Sequence, residues 1–434
     1  MPPPDAHSPV VDPLATARAA LAEGRWQAAR ALFEDALGDG RSPEALEGLG
    51  MAARWLGDGA AALEAHEAAY RGYRQAGEGL AAARVATALA LEYHAFRSEH
   101  AVASGWMERA ARLLADAAPA AEHGWLALWR GHVDLQVRKD PAASLLRSAE
   151  GARIARALGS IDLEMLALAQ EGLAMVSEGS VAEGMRRLDE AAAAATAGEL
   201  SDLDAIATVC CYLIDACRRV GDFDRALQWC DHVSGFCERW DDRMTFSACR
   251  VQYADVLIWR GDWPGAERAI AVNLEELRVL NPAREGDAFA RLGELRRRQG
   301  RLEEAAELLA RADRHPVALL GRGELALDRG DPAGAVEAAE RYLRRLSPES
   351  RTERAAGVEL LARARLAAGA ADAAGALAAE LRTIADAVGT DALRASAALV
   401  EGLLAAASGD AATAAELLDA AAELFEGAGG PYQA

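Results

Sequence analysis

Gly261-Asp262-Trp263-Pro264-Gly265-Ala266 is one copy of a pattern that recurs along this chain of 434 residues. A glycine is followed by Asp or Arg in most copies, then by an aromatic or small residue, and a small residue stands five places after the glycine. Copies begin at Gly24, Gly57, Gly179, Gly221, Gly261, Gly300, Gly330, Gly369 and Gly409. Five places on stand Ala29, Ala62, Gly184, Ala226, Ala266, Ala305, Ala335, Ala374 and Ala414. A turn repeated at a near-constant period predicts a solenoid of helix pairs, an architecture that binds far more often than it catalyses.

The interval from Gly24 to Gly57 is 33 residues and that from Gly179 to Gly221 is 42; the later ones are 40, 39, 30, 39 and 40. Between Gly57 and Gly179 there is room for three units of roughly 41 residues. Two degenerate turns are therefore expected, and Arg97-Ser98-Glu99 and Lys139-Asp140-Pro141 fall where they are needed. The count becomes about eleven helix-turn-helix repeats over 11–429. Residues 1–10 read as a disordered tail, and 430–434 as the start of a truncated further repeat in which Pro431 opens a helix. That mid-period stop carries the expectation of a fragment or a split gene. Asp12-Pro13, Ser42-Pro43, Asn281-Pro282 and Ser347-Pro348 set a capping residue before a proline, the usual opening of a helix. The short interval from Gly300 to Gly330 is the candidate for a bend.

Alanine dominates a 52% hydrophobic composition in which aromatics are only 5%. Alanine is the best helix former, and runs with strand-like alternation are scarce, so the chain reads as all-α. A net charge of −20 opposes attraction to nucleic-acid phosphates or anionic lipid. The sequence has no membrane-length apolar run and no secretory signal pattern after Met1-Pro2-Pro3-Pro4, so the expectation is a cytoplasmic protein without membrane or direct nucleic-acid contact.

Within the units, Leu46-x-x-Leu49-Gly50 and Phe289-x-x-Leu292-Gly293 alternate large and small residues on the first helix. Ala29, Phe33, Ala36 and Ala305, Leu309, Ala312 do so on the second. This resembles the tetratricopeptide repeat and implies a right-handed α-α superhelix. HEAT repeats also fit the longer units, but the Gly-Asp-aromatic turn favours the tetratricopeptide. A narrower resemblance rests on Arg239-Trp240, Ala248-Cys249-Arg250, Trp259-Arg260-Gly261-Asp262-Trp263 and Arg291-Leu292-Gly293-Glu294-Leu295-Arg296-Arg297-Arg298-Gln299-Gly300. These look like the repeat array of actinobacterial LuxR-type transcriptional regulators. That resemblance implies a signal-receiving role, here without the family's ATPase and helix-turn-helix modules. No Gly-x-x-x-x-Gly-Lys-Ser/Thr loop is present to cradle a nucleotide.

Chemistry-bearing patterns are few. The six cysteines fall between Cys210 and Cys249. Cys210 and Cys217, like Cys230 and Cys237, are seven residues apart, about 10 Å along a helix, too far to share one zinc. They read as core fillers, with redox sensing or a cysteine-dependent activity as alternatives. His94, His100, His123 and His132 lack ligand partners at helical spacing. Gly-x-Ser-x-Gly and His-Glu-x-x-His are absent, so the chain is expected to be non-enzymatic and to need no cofactor or metal.

First helices line the inner face of a tetratricopeptide array. Counting back 2, 3, 6, 10 or 13 places from each turn nominates Trp55, Phe96, Trp129, Leu173, Cys211, Asp215, Arg218, Asp255, Trp259 and Arg297 as an inner groove, with Val176, Ile258, Glu294 and Arg298 beside them. The groove is expected to be aromatic toward the N-terminal half and charged in the middle, suiting a protein partner or a small-molecule effector. A standalone scaffold that holds a partner's peptide or helix is the alternative to the regulator. The tryptophans have a second reading as packing residues. The run Arg296-Arg297-Arg298 reads as a helix C-terminus offsetting the macrodipole, or as a dock for an acidic helix.

Overall fold

The structure, a computed structural model, describes residues 12–38, 40, 42–240, 243–312 and 315–434; the side chains of 234–249 and 283 are outside that description. The expected tail over residues 1–10 lies outside the described residues. So do the side chains of Arg239, Trp240, Ala248 and Cys249.

Among the described residues the chain forms 22 α-helices and no strand, pairing into eleven helix-turn-helix repeats. The first four pairs are α1 Pro13–Ala22 and α2 Trp26–Leu37, α3 Pro43–Trp55 and α4 Gly59–Ala76, α5 Gly79–Glu92 and α6 His100–Leu114, and α7 Ala121–Gln136 and α8 Pro141–Leu158. The next four are α9 Ile161–Glu178 and α10 Val181–Ala197, α11 Leu203–Val220 and α12 Phe223–Trp240, α13 Arg243–Arg260 and α14 Trp263–Leu280, and α15 Glu285–Arg298 and α16 Leu302–Arg311. The last three are α17 Pro316–Asp328 and α18 Pro332–Leu343, α19 Arg351–Ala367 and α20 Ala371–Val388, and α21 Asp391–Ser408 and α22 Ala411–Gly427. This is a tetratricopeptide-like, all-α superhelical repeat.

The recurring hexapeptide has a physical cause at each position. All nine turn glycines have φ between 71° and 100°, the left-handed conformation that closes a helix at little steric cost. The following residue's N–H then reaches back five residues, as Asp58 does to the Ala53 carbonyl and Asp331 to that of Ala326. Aspartate at that site caps the next helix: Asp58 accepts from the Ala61 N–H, Asp140 from Ala143, Asp331 from Gly334 and Asp410 from Thr413. The small residue five places on is sealed between helices; Ala29, Ala62, Ala226, Ala266, Ala305, Ala335 and Ala374 are all fully buried. At Gly184 the fit is tightest, since a Cβ there would lie 2.5 Å from the Gly172 carbonyl oxygen on the facing α9.

The two degenerate turns are where counting puts them. Ser98 (φ 54°) and Lys139 (φ 57°) are the non-glycine residues with positive φ among those described. Each closes a turn one residue longer than the rest: the Glu99 N–H reaches the Tyr93 carbonyl, and the Asp140 N–H that of Asp134. At the first of these, Tyr93–Arg97 winds as a π-helical turn. The shortened repeat from Gly300 to Gly330 shows in α16, which has ten residues.

The chain divides into two compact units. The first comprises 1–126 with 237–244 and 279–281; the second comprises 127–236, 245–278 and 282–434. In the second, first helices pack side by side, α9 on α11 and then α15 on α17, α17 on α19 and α19 on α21. The array also winds back on itself, because α19 touches α9 and α11, and α20 touches α10.

The winding has a fixed register. The Thr390 hydroxyl donates to the Val220 carbonyl, 170 residues away, and the Trp259 indole N–H donates to the Ala428 carbonyl, 169 away, at 3.0 Å. Arg351 packs over Gly179, and the Ser350 hydroxyl donates to the Lys139 carbonyl at 3.0 Å. Loops between repeats thus dock on turns within repeats one superhelical winding earlier. Residues 430–434, expected to open a helix, instead form a turn docked in this way.

Candidate functional site

Six places before successive turn glycines stand Asp215, Asp255, Glu294, Glu324 and Arg363, on α11, α13, α15, α17 and α19 of the second unit. Each is tied to a charge of opposite sign. Asp215 accepts from Arg218 at 2.7 Å and from Arg219 at 2.9 Å. Arg291 holds Asp255 at 3.0 Å, and Glu294 accepts from Arg297 at 2.9 Å and from Arg298 at 2.7 Å. Arg297 reaches on to Asp328 at 2.8 Å, and Arg363 joins Glu324 at 2.9 Å to Glu359 at 3.4 Å. The result is a ladder of paired charges at one register, joined by ion pairs from α13 to α15, α15 to α17 and α17 to α19.

Its electrostatics differ along its length. Burial would raise the Asp215 carboxyl, but Arg219 and Arg218 outweigh it and hold the group well below the usual carboxylate range. Glu294, under the same opposing effects, is held low by Arg297 and Arg298. Glu324 goes the other way. Burial lifts its carboxyl, Arg363 and Arg297 do not fully offset this, and the nearby Glu359 and Glu294 add to it. With their side chains about a fifth exposed, Glu294, Glu324 and Glu359 remain within reach of a ligand. At this end of the ladder Glu324 and Glu359 share the Arg363 guanidinium.

At the other end the ladder is sealed by the winding. Glu353 on α19 takes the Lys139 ammonium at 2.9 Å and lies 3.2 Å from Arg219, whose guanidinium also donates to the Ser177 hydroxyl at 2.8 Å. The Arg219 side chain is only 2% exposed.

The structure redistributes the nominated groove. Asp215, Arg218, Asp255 and Arg297 do share the ladder with Glu294 and Arg298. Leu173 is wholly buried, with Val176 and Ile258, in helix packing. Trp55, Phe96 and Trp129 do not form an aromatic wall open to solvent. Trp55 stacks on Trp26 with centroids 5.4 Å apart, Phe96 covers Gly59, and Trp129 sits edge-on to His132. For Trp55 the physical reason is a pairing found at two junctions: the aromatic two places after one turn glycine stacks on the aromatic two places before the next. Trp26 with Trp55 is one instance, and Phe223 with Trp259, 4.4 Å apart, is another. Glu324, Asp328, Glu359 and Arg363 escaped nomination, although the same count back from Gly330 and Gly369 selects them.

Cys210, Cys217 and Cys230 are buried between helices, and Cys211 is partly so. Burial pushes the Cys217 and Cys230 thiols up, the latter to about 12, the direction opposite to that of a reactive thiolate. Cys237 and Cys249 have side chains outside the described residues. His94 and His100 meet through their Nδ1 atoms at 3.0 Å, and His132 Nδ1 lies 2.7 Å from the Tyr212 hydroxyl. The arginine run is absorbed by ion pairs within the chain, Arg296 with Glu267 and Glu304, Arg297 and Arg298 with Glu294. Among the described residues no helix is long and apolar enough to cross a membrane.

No protein-family model and no curated protein matches this sequence. Solved structures do. A Rap protein in complex with Competence and Sporulation Factor is 11% identical over 87% of this chain and 97% of its own, with a TM-score of 0.57. Yeast Tom70 is 11% identical over 95% of this chain and 91% of its own, at 0.42. A signal-transduction ATPase with a tetratricopeptide repeat sensor, from Pyrococcus horikoshii, is 14% identical over 74% of this chain at 0.36, and this chain spans about half of it, 52%. The first of these supports the shared superhelical repeat fold.

Proposed function

We propose that this chain is a non-enzymatic binding solenoid, and that it serves as the signal-sensing region of a LuxR-type transcriptional regulator in the cytoplasm. The observation that carries the binding reading is the charge ladder. Five successive first helices offer a charged group at one register, and at the last of them Glu324 and Glu359 share a single guanidinium, that of Arg363. A partner segment bearing Lys or Arg, or an amine-bearing effector, supplies a second positive charge and relieves the buried carboxylate. The structural relative that holds Competence and Sporulation Factor has the same repeat fold, which is compatible with a sensing role. The narrower assignment to a regulator rests on the sequence resemblance at Trp259–Trp263 and Arg291–Gly300. Ligand occupancy then shifts the winding of the second unit by its differential affinity for two curvatures.

The test is a partner or effector retained by the purified chain, identified by native mass spectrometry, and compared with Glu324→Arg. The expected result is loss of the bound species from the variant, with circular dichroism confirming that it is folded. Equal retention by both proteins sinks the ladder as the site. Superimposable scattering profiles with and without the identified species sink the curvature mechanism. A partner with no link to transcription favours the standalone scaffold.

A further inference from the structure

Three of the glycine turns carry an aromatic residue two places on, Trp26, Phe223 and Trp263, and the third lacks its mate. Trp263 stands two places after Gly261, where Trp26 and Phe223 stand after their own glycines, and its expected mate lies two places before Gly300. That residue is Arg298, which has no ring to stack. The position is filled from elsewhere: Tyr432 lies against Trp263 with centroids 5.9 Å apart and under the Arg298 guanidinium at 4.8 Å.

The rest of the segment is docked as a turn, with the Gln433 N–H donating to the Gly430 carbonyl at 3.1 Å. The Trp259 indole N–H donates to the Ala428 carbonyl at 3.0 Å. Gly430 lies so flat on the Trp259 ring that a Cβ there would come within 2.8 Å of it, and Pro431 packs over Gly261. The cis occupant leaves one group unserved, since the Trp263 indole N–H is covered and has no acceptor. A buried donor without an acceptor is a defect that a better-fitting segment removes.

We infer that Trp259, Trp263 and Arg298 form a recognition slot for a turn-forming segment of a partner protein carrying Gly-Pro-Tyr or a similar glycine-proline-aromatic run, and that residues 428–433 occupy it in cis. Glycine is required over Trp259 because nothing larger fits. The aromatic ring is required because it meets the Trp263 indole edge-on while its face takes the Arg298 guanidinium. The slot rests on the reading proposed above and shares Arg298 with the charge ladder. A tethered occupant competes at an effective concentration on the order of millimolar, so an incoming segment must bind more tightly than that to displace it.

The probe is a fluorescently labelled Ala-Gly-Gly-Pro-Tyr-Gln peptide, titrated by anisotropy into the full chain and into full-length Tyr432→Ala, with circular dichroism confirming that both are folded. Tyr432→Ala is expected to bind the probe about tenfold more tightly than the unaltered chain. The double variant Tyr432→Ala, Trp263→Ala is expected to lose that gain. Equal affinity for both chains overturns the inference. So does failure of Tyr432→Ala to bind at millimolar probe, or equal binding of a peptide with Ala in place of Tyr. A concentration-dependent dimer of the unaltered chain that dissociates in Tyr432→Ala assigns the slot to a second copy and overturns the partner reading. Glu324→Arg separates the two proposals, since it tests the ladder and is expected to leave probe binding to the Tyr432→Ala chain unchanged.

Discussion

His66 shows how much a single side chain can set in the first unit. Its Nδ1 lies 2.7 Å from the Glu92 carboxylate, its Nε2 faces the Glu47 carbonyl oxygen, and both His66 and Glu92 are buried. Burial alone favours the neutral ring, but Glu92, with help from Glu47, outweighs it and raises the imidazole above its ordinary value of 6.5. A folded value above the unfolded one means that the stabilisation is complete below pH 6.5 and is lost as pH rises through the folded value. The melting temperature is therefore expected to fall as pH rises above 6.5 through the raised value, and His66→Gln to flatten that slope. A slope unchanged in the variant removes His66 as its source. No sequence count announces this pair: His66 and Glu92 belong to different repeats and meet only because Gly50, facing the ring, has no side chain of its own.

The turn is the element on which this fold depends, and it was the most legible part of the sequence. The glycine, the aspartate and the small residue act locally, ending one helix, capping the next and seating it, so their meaning survives without knowledge of the rest of the chain. The same count exposed Ser98 and Lys139, which carry the left-handed conformation without glycine. For a residue with a Cβ that conformation costs roughly 1–2 kcal/mol. Ser98→Gly is expected to stabilise the chain by about 1 kcal/mol in urea denaturation. A destabilised variant would mean that the longer, π-type closure at Tyr93–Arg97 needs serine. Lys139 is a poorer choice for this change because its ammonium holds Glu353. The aromatic positions were misassigned to an open groove for an equally local reason. Position within one repeat does not reveal that the neighbouring repeat carries a matching ring, as Trp26 does for Trp55.

At the scale of the second unit, the winding was illegible in the repeat pattern. Periodicity reports what each repeat does to its neighbour, and contacts across 170 residues leave no mark at a forty-residue period. Glu353 is the residue most exposed to this difference, since it joins α19 to Lys139 and Arg219 while its own repeat gives no reason for a buried acid. Removing one partner of a buried ion pair costs about 3 kcal/mol. Glu353→Ala is expected to weaken the second unit by about that amount and to speed hydrogen exchange in α9, α11 and α19, with residues 12–37 unchanged. Uniform acceleration across the chain would show that the contact does not hold the winding specifically.

Nearest-neighbour arrays tolerate the gain or loss of whole repeats, because each new interface is much like the one it replaces. The docked loops of the second unit remove that freedom. Deleting any one repeat between Trp259 and Ser350 would carry Thr390 past Val220 and Ala428 past Trp259 by a full repeat length, and every rung would face the wrong turn. The number of repeats in this stretch is therefore fixed by geometry, and length variation is confined to places that the winding does not span.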